Sequence, residues 1–330
     1  ELLSVNGTVL VAGLGNNDIT PDAVGPLTAG GILATRHIAG AFAESIGLKG
    51  LKSVAKKVNG VCDALIVPNF LVPSGVKIPV YIVIHDLMFL DVKATTKNAI
   101  DRFVKKTLLA RSVKTAERIY CVSEFTYKRC LHYYPKFAEK FAVNHVGFAF
   151  DVPKDFEPCE EKDNTLVFVG NVKPQKGLKT LIEAFKLLPE GEYKLKIIGD
   201  KDNFRTVMST EELTADGVLY TGKISDERLK EEVARAKFLI QPSFYEGFGA
   251  PPMEAIASGC RKIYLSDIPV FREVYGGCAT FFDPHDYKNT VNLEECAATE
   301  EAAFEALLTR QSWENCAKII ADTVKQNKKN

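Results

Sequence analysis

The sequence predicts an α/β protein of two domains, built on parallel sheets with helices on both faces. Two observations lead there. Short apolar runs recur through the second half as "TLVFVG", "KLKIIG", "VLYTG", "FLIQPS", "RKIYLS" and "ATFFD". Most close on Gly or Ser, where a strand hands over to a loop. Helical patterns lie between several of them, and that alternation marks a parallel sheet. The chain also has 330 residues, more than one typical domain, so two is the better expectation.

In chain order the first strand is "TVLVAGLG" (8–15), where Val9, Leu10 and Val11 form the continuous apolar run of a strand covered on both faces. "ALIVP", "YIVIHD" and "RIYCVS" supply further strands of the first half, and a helix is expected over 97–116, with Phe103, Leu108 and Val113 among its apolar residues. The stretch "FDVPKDFEPCEEKDN" (150–164), rich in proline and acids, reads as an interdomain linker. In "LKTLIEAFKLL", Leu178, Leu181, Ile182 and Phe185 share one helical face. In "SDERLKEEVARAK", Ser225 can cap, acids fill the first turn, and Leu229 and Val233 share a face. "MEAIASG" reads as a short helix entered through Pro251 and Pro252 and closed by Gly259. The expected division is 1–150, 151–310, and a last helix with its solvated tail over 311–330.

Composition narrows the function classes. Apolar residues make up 46%, and 42 basic residues balance 42 acidic ones. A nucleic-acid binder would carry a basic excess, so none is expected. The eight cysteines never form a C-x-x-C pair and lie in apolar or helical runs, which suits buried free thiols in a reducing compartment. The five histidines are scattered, so no metal site is expected. No apolar run approaches the roughly 18 residues of a membrane span. The chain begins at Glu1 with no leader ahead of it, so it is expected to be a fragment.

Three stretches carry the chemistry. "FYEGFGAPPMEAIASG" sets Glu246 on a loop and Glu254 in the first turn of a helix, with Gly247 and Gly249 between them. Glycines let bare N–H groups approach a ligand, and a helix start favours anions. "FVGNVKPQKGLKTLIEAF" puts Lys173 and Lys176 between a strand and a helix, and "YIVIHDLMFLD" ends a strand with His85 and Asp86. Taken singly, the lysines read as solvated surface, the glutamates as a capping acid and a surface acid, and His85 as a hydrogen-bonding residue. Taken together at strand ends, they outline a site for a ligand bearing phosphate and hydroxyls.

From about residue 60 to 310 the chain resembles a family 4 glycosyltransferase of the GT-B fold, two Rossmann-like domains facing a cleft. The resemblance rests on the stretches above and on "ISDERLKEEVARAKFLIQPS", "SDIPVFREVYGGCATFFDP", "PNFLVP" and "CVSEFT". It implies retaining transfer of a sugar from a nucleotide-sugar donor to a carbohydrate or lipid-linked glycan acceptor. It implies no cofactor or bound metal, and a place in the cytoplasm, with peripheral contact at the inner face of the membrane. By the resemblance, Glu254 holds the ribose and Glu246 the transferred sugar. The amides of Gly247, Phe248, Gly249 and Ala250, with Gly170, line the donor. Lys176 neutralises the diphosphate, which suits a site without metal. His85 touches the donor sugar, with Asp86 beside it. Many members carry an arginine directly after the strand-end glycine; here it is Asn171, and Lys173 supplies the second charge.

Residues 8–37, "TVLVAGLGNNDITPDAVGPLTAGGILATRH", instead resemble the germination protease of spore-forming bacteria, which would make Asp22 one of two catalytic acids. A fusion would account for this short and atypical first domain. The Gly13–Gly15 pair after a strand lacks the third glycine of a dinucleotide site. Two alternatives to an active transferase therefore stand: a catalytically impaired nucleotide-sugar binder and a protease fragment.

Overall fold

The computed structural model describes residues 9–11, 58–96, 98–147, 162–199, 215–286 and 292–327, with the backbone alone at 9–11 and 94. The chain divides into two compact units, Glu1–Ala149 with Arg310–Asn330, and Phe150–Thr309.

The first unit holds β1 (Val9–Val11), β2 (Ala64–Val67), β3 (Val80–Ile84), α1 (Met88–Asp91), α2 (Ala99–Thr115), β4 (Arg118–Cys121), α3 (Glu124–Tyr133) and β5 (Phe141–Val143). The strands pair in parallel in the order β1-β2-β3-β4-β5. β2 and β3 are buried at every position, which is why they read as unbroken apolar runs rather than alternating ones. Leu65, Val67, Ile82, Ile84, Leu109, Val113 and Ile119 form the centre of this core. Asn98 caps α2 by accepting from the Asp101 N–H, and Ser123 caps α3 by accepting from that of Thr126. The chain returns here at its end. α8 (Glu301–Arg310) leads to α9 (Trp313–Asn327), whose Cys316 carbonyl accepts from Asn144 Nδ2 at 3.1 Å and whose Asn327 Nδ2 donates to the Tyr81 hydroxyl at 3.1 Å.

The second unit holds β6 (Asp163–Val169), α4 (Leu178–Phe185), β7 (Lys194–Ile198), β8 (Val218–Gly222), α5 (Asp226–Arg235), β9 (Ala236–Gln241), α6 (Pro251–Ala257), β10 (Ile263–Ser266), α7 (Pro269–Tyr275) and β11 (Thr280–Phe282). Its sheet is parallel in the order β11-β10-β9-β6-β7-β8. The amphipathic face of α4, with Leu178, Leu181, Ile182 and Phe185, packs on Leu166, Phe168, Leu195, Ile197, Phe238 and Ile240 of the sheet. Ser225 caps α5 by accepting from the Arg228 N–H. Lys162 Nζ donates to the Ala234 carbonyl at 2.5 Å and to that of Gly259 at 3.2 Å, one charge closing the ends of α5 and α6.

Two expectations meet this fold only partly. Of the linker over 150–164, Asp163 and Asn164 already belong to β6, and residues 150–161 lie outside the described residues. Of "TVLVAGLG", Val9–Val11 form β1, while Gly13, Gly15 and Asp22 lie outside them. The described cysteines are free thiols; Cys121, Cys130, Cys260, Cys278, Cys296 and Cys316 are buried and Cys62 is half-buried.

Candidate functional site

The second sheet reverses direction beside its first strand. β7 and β8 run outward on one side of β6, and β9, β10 and β11 on the other. In such sheets the helices on either side of the reversal diverge, and ligands bind in the crevice at the strands' carboxyl ends. The loops leaving that point are 170–177 after β6 and 242–250 after β9. They carry Gly170, Asn171, Lys173 and Lys176 on one side, and Glu246, Gly247, Phe248, Gly249 and Ala250 on the other.

The two loops interlock through their backbones. Gly177 has φ 67°, and a Cβ there would lie 1.9 Å from the Pro242 carbonyl oxygen, so glycine is the only residue that fits. The Phe244 N–H donates to the Gln175 carbonyl at 2.8 Å, and Gln241 Nε2 donates to the Val169 carbonyl at 2.6 Å. The short turn Pro174–Lys176 then sends the Lys176 side chain across to the second loop.

There Lys176 Nζ meets Glu246 Oε1 at 2.5 Å, with both side chains largely buried at 17% and 9% exposure. The same oxygen accepts from Ser243 Oγ at 2.7 Å. An ion pair removed from water contributes little net stability, because desolvation offsets the attraction. What it offers is chemistry, an ammonium that attracts an anion and a carboxylate that accepts from hydroxyls. Asn171 is exposed and Lys173 half-buried at the start of the turn.

Glu254 stands in the first turn of α6 and is buried at 6% exposure, behind the prolines that open the helix. Gly249 has φ 80°, and a Cβ would lie 2.4 Å from Phe271 Cε1, so packing against α7 requires glycine here. Its carbonyl accepts from the Tyr275 hydroxyl. Burial first, and then the Glu254 charge, hold that phenol well above its ordinary pKa, so it stays a donor.

His85 follows β3 in the first unit. Its Nε2 lies 3.0 Å from the Pro68 carbonyl, which can only accept, so Nε2 carries the proton. Its own carbonyl accepts from Thr126 Oγ1 at 3.2 Å. Asp86 Oδ1 accepts from the Met88 N–H at 2.8 Å, which makes it a turn-forming residue at the start of α1. The structure thus brings Lys176 and Glu246 into contact, sets Glu254 at the start of α6, and holds His85 and Asp86 in the other unit. Ser243, Gln241, Phe271 and Tyr275 escaped the sequence reading. Only the proximity of Ser243 to Glu246 in the chain could have flagged one of them. Among the described residues, no group of three His, Cys, Asp or Glu side chains could hold a metal ion.

Two α/β units of this kind make up the GT-B fold of glycosyltransferases. Residues 152–292, which lie in the second unit, match the family "Glycosyl transferases group 1". Residues 3–67 match the family "Germination protease". The O-antigen chain mannosyltransferase RfbU of Salmonella typhimurium is 28% identical over 69% of this chain and 66% of its own length. The O-antigen chain mannosyltransferase B of Escherichia coli is 25% identical over 76% of this chain and 70% of its own. Among solved structures, the sucrose-phosphate synthase of Thermosynechococcus elongatus superposes with a TM-score of 0.68 at 16% identity, covering 88% of this chain and 80% of that one. The Anabaena HepE protein in complex with UDP and glucose gives 0.63 at 14% identity, covering 88% and 84%.

Proposed function

We propose that the protein is a retaining family 4 glycosyltransferase, active without a bound metal in glycan or polysaccharide biosynthesis. The donor is a nucleotide sugar, and the names of the mannosyltransferase relatives favour mannose as the sugar. The acceptor is a carbohydrate or lipid-linked glycan. The observation that carries this reading is the buried Lys176–Glu246 pair at the reversal of the second sheet.

Each residue's role follows from its charge. Lys176 turns to the diphosphate and neutralises the charge that develops as it leaves, with Lys173 as the second cation and the amides of Gly170 and Asn171 beside it. Glu246 accepts from hydroxyls of the transferred sugar, and Glu254 from the ribose. The amides of Gly247, Phe248, Gly249 and Ala250 line the donor. His85 contributes to holding the donor sugar. The leaving phosphate takes the acceptor's proton, so no carboxylate nucleophile is required.

A panel of nucleotide sugars, tested by thermal shift and then for hydrolysis, tests the reading. Chelator should change neither binding nor turnover, and Lys176→Ala should weaken the nucleoside diphosphate more than the bare nucleoside. An absolute need for manganese or magnesium would overturn the metal-independent assignment.

The match of residues 3–67 to a protease family favours one second reading, a nucleotide-sugar binder with an impaired first domain. Donor binding without hydrolysis or transfer would identify it. As a transferase acting on a lipid-linked acceptor, the protein would work in the cytoplasm at the inner face of the membrane. One turn of α2 supports such contact, with Ile100 exposed at 73%, Phe103 at 69% and Val104 at 47%. No described helix is long and apolar enough to cross a membrane.

A further inference from the structure

The Lys176–Glu246 pair raises a difficulty that the assigned roles do not resolve. If Lys176 serves the diphosphate, its ammonium must leave Glu246 when the donor binds. Glu246 is only 7% exposed. A carboxylate stripped of its counter-ion at that depth is costly and is free to rotate away from the sugar. Some other donor must hold it.

Ser243 is built for that task. It is fully buried, and its hydroxyl donates at 2.7 Å to Oε1, the oxygen that Lys176 also contacts. It stands on a fixed post. Gln241, two residues before it, is tied to the Val169 carbonyl; Pro242 backs against Gly177; and the Phe244 N–H, one residue after it, is tied to the Gln175 carbonyl. Glu246 itself lies on a loop with neither helix nor strand to orient it. With Lys176 and Ser243 both on Oε1, Oε2 faces no competition from either for a ligand hydroxyl.

We propose that Ser243 is a positioning residue that keeps the Glu246 carboxylate in place when Lys176 transfers from it to the donor's diphosphate. This rests on the transferase reading above. In the structure Lys176 and Ser243 both hold Glu246; with donor bound, the ammonium moves to phosphate and a sugar hydroxyl takes its place at the carboxylate. Ser243 is the contact common to both states.

The test uses the full chain. Ser243→Ala should lower kcat roughly ten-fold or more, as expected for a lost hydrogen bond to a charged group. Affinity for UDP or GDP, whichever the protein binds, should change less than three-fold on the scale of such contacts. Ser243→Thr, which keeps the hydroxyl, should restore much of the rate. In a Glu246→Gln background, Ser243→Ala should cost little further, because Ser243 acts through Glu246. Equal losses in kcat and diphosphate affinity, or additive losses in the double variant, would overturn the proposal.

A second measurement needs no turnover. In a Lys176→Met background Ser243 still holds Glu246, so Ser243→Ala should lower Tm by clearly more than it does in the wild-type chain. Additive shifts in Tm would also overturn the proposal. A chain that turns over no nucleotide sugar yet gives the non-additive Tm shifts would count against the transferase reading and not against the role of Ser243.

Discussion

At the residue scale, the two glutamates differ in their surroundings although they stand eight positions apart in the chain. Glu246 is held on a loop by Lys176 and Ser243, whereas Glu254 is fixed by the helix that carries it. Glu254→Ala should therefore weaken nucleotide binding by roughly 1.5–3 kcal/mol, and Glu246→Gln should spare nucleotide affinity and lower turnover. Calorimetric titration with nucleoside diphosphate decides between them, and equal affinity losses would mean the roles are misassigned. Gly177 makes a separate prediction. Alanine there meets the Pro242 carbonyl oxygen as well as a left-handed backbone, whereas alanine at Gly191, with φ 76° and open space around it, meets only the latter. Gly191→Ala should cost about 1–2 kcal/mol. Gly177→Ala should cost more and also separate the two site loops, so its melting temperature should fall further than that of Gly191→Ala, and nucleotide affinity should fall in the Gly177 variant alone.

At the scale of elements, the second unit was legible because its central strands β6, β9 and β10 are largely buried and read as apolar runs, and α4 carries a clean apolar stripe. The strands from Asp163 to Phe282 and the helices α4 and α5 fall within a few residues of their expected places. Other elements left too little pattern. β5 is the three residues "FAV", and α1 is a four-residue helix with Asp86 at its entrance. The site was legible where residues carry charge in a recognisable order, as Lys176, Glu246 and Glu254 do. It was not legible where contact depends on strand order. Gln241 reaches Val169 because β9 lies beside β6, and nothing in the intervening 72 positions announces that neighbour. The exposed turn of α2 was also hidden, since "NAIDRFVKK" gives a helix without saying which side faces outward. Lys106 is exposed on the same helix, which suits an anionic lipid surface. The Ile100→Ser/Phe103→Ser double variant should lose most binding to phosphatidylglycerol vesicles, with donor affinity intact. Unchanged sedimentation with such vesicles would remove the membrane contact from the proposal.

At the scale of the whole molecule, stability should fall in alkali. Burial pushes the Tyr120, Tyr134 and Tyr220 phenols up to about 12, from an ordinary value of 10. Between those values the unfolded chain loses protons that the folded one keeps, so their contribution is intact below pH 10 and is lost as the pH rises toward 12. Melting temperature should hold steady as neutral solutions are made mildly alkaline and then decline across that window. Tyr120→Phe should make the decline shallower, and an unchanged slope would show that this phenol does not titrate as its burial implies.

The return of α9 to the first unit also has a temporal meaning. Gly147, near the end of that unit's first stretch, abuts the backbone of Trp313 so closely that a Cβ would lie 2.3 Å from its amide nitrogen. During synthesis the ribosome makes β2 to β5 early but delivers their covering helix only after all of Phe150–Thr309. The second unit can therefore finish folding while the unit begun before it still waits, its apolar surface open to chaperones, for a piece of chain not yet made.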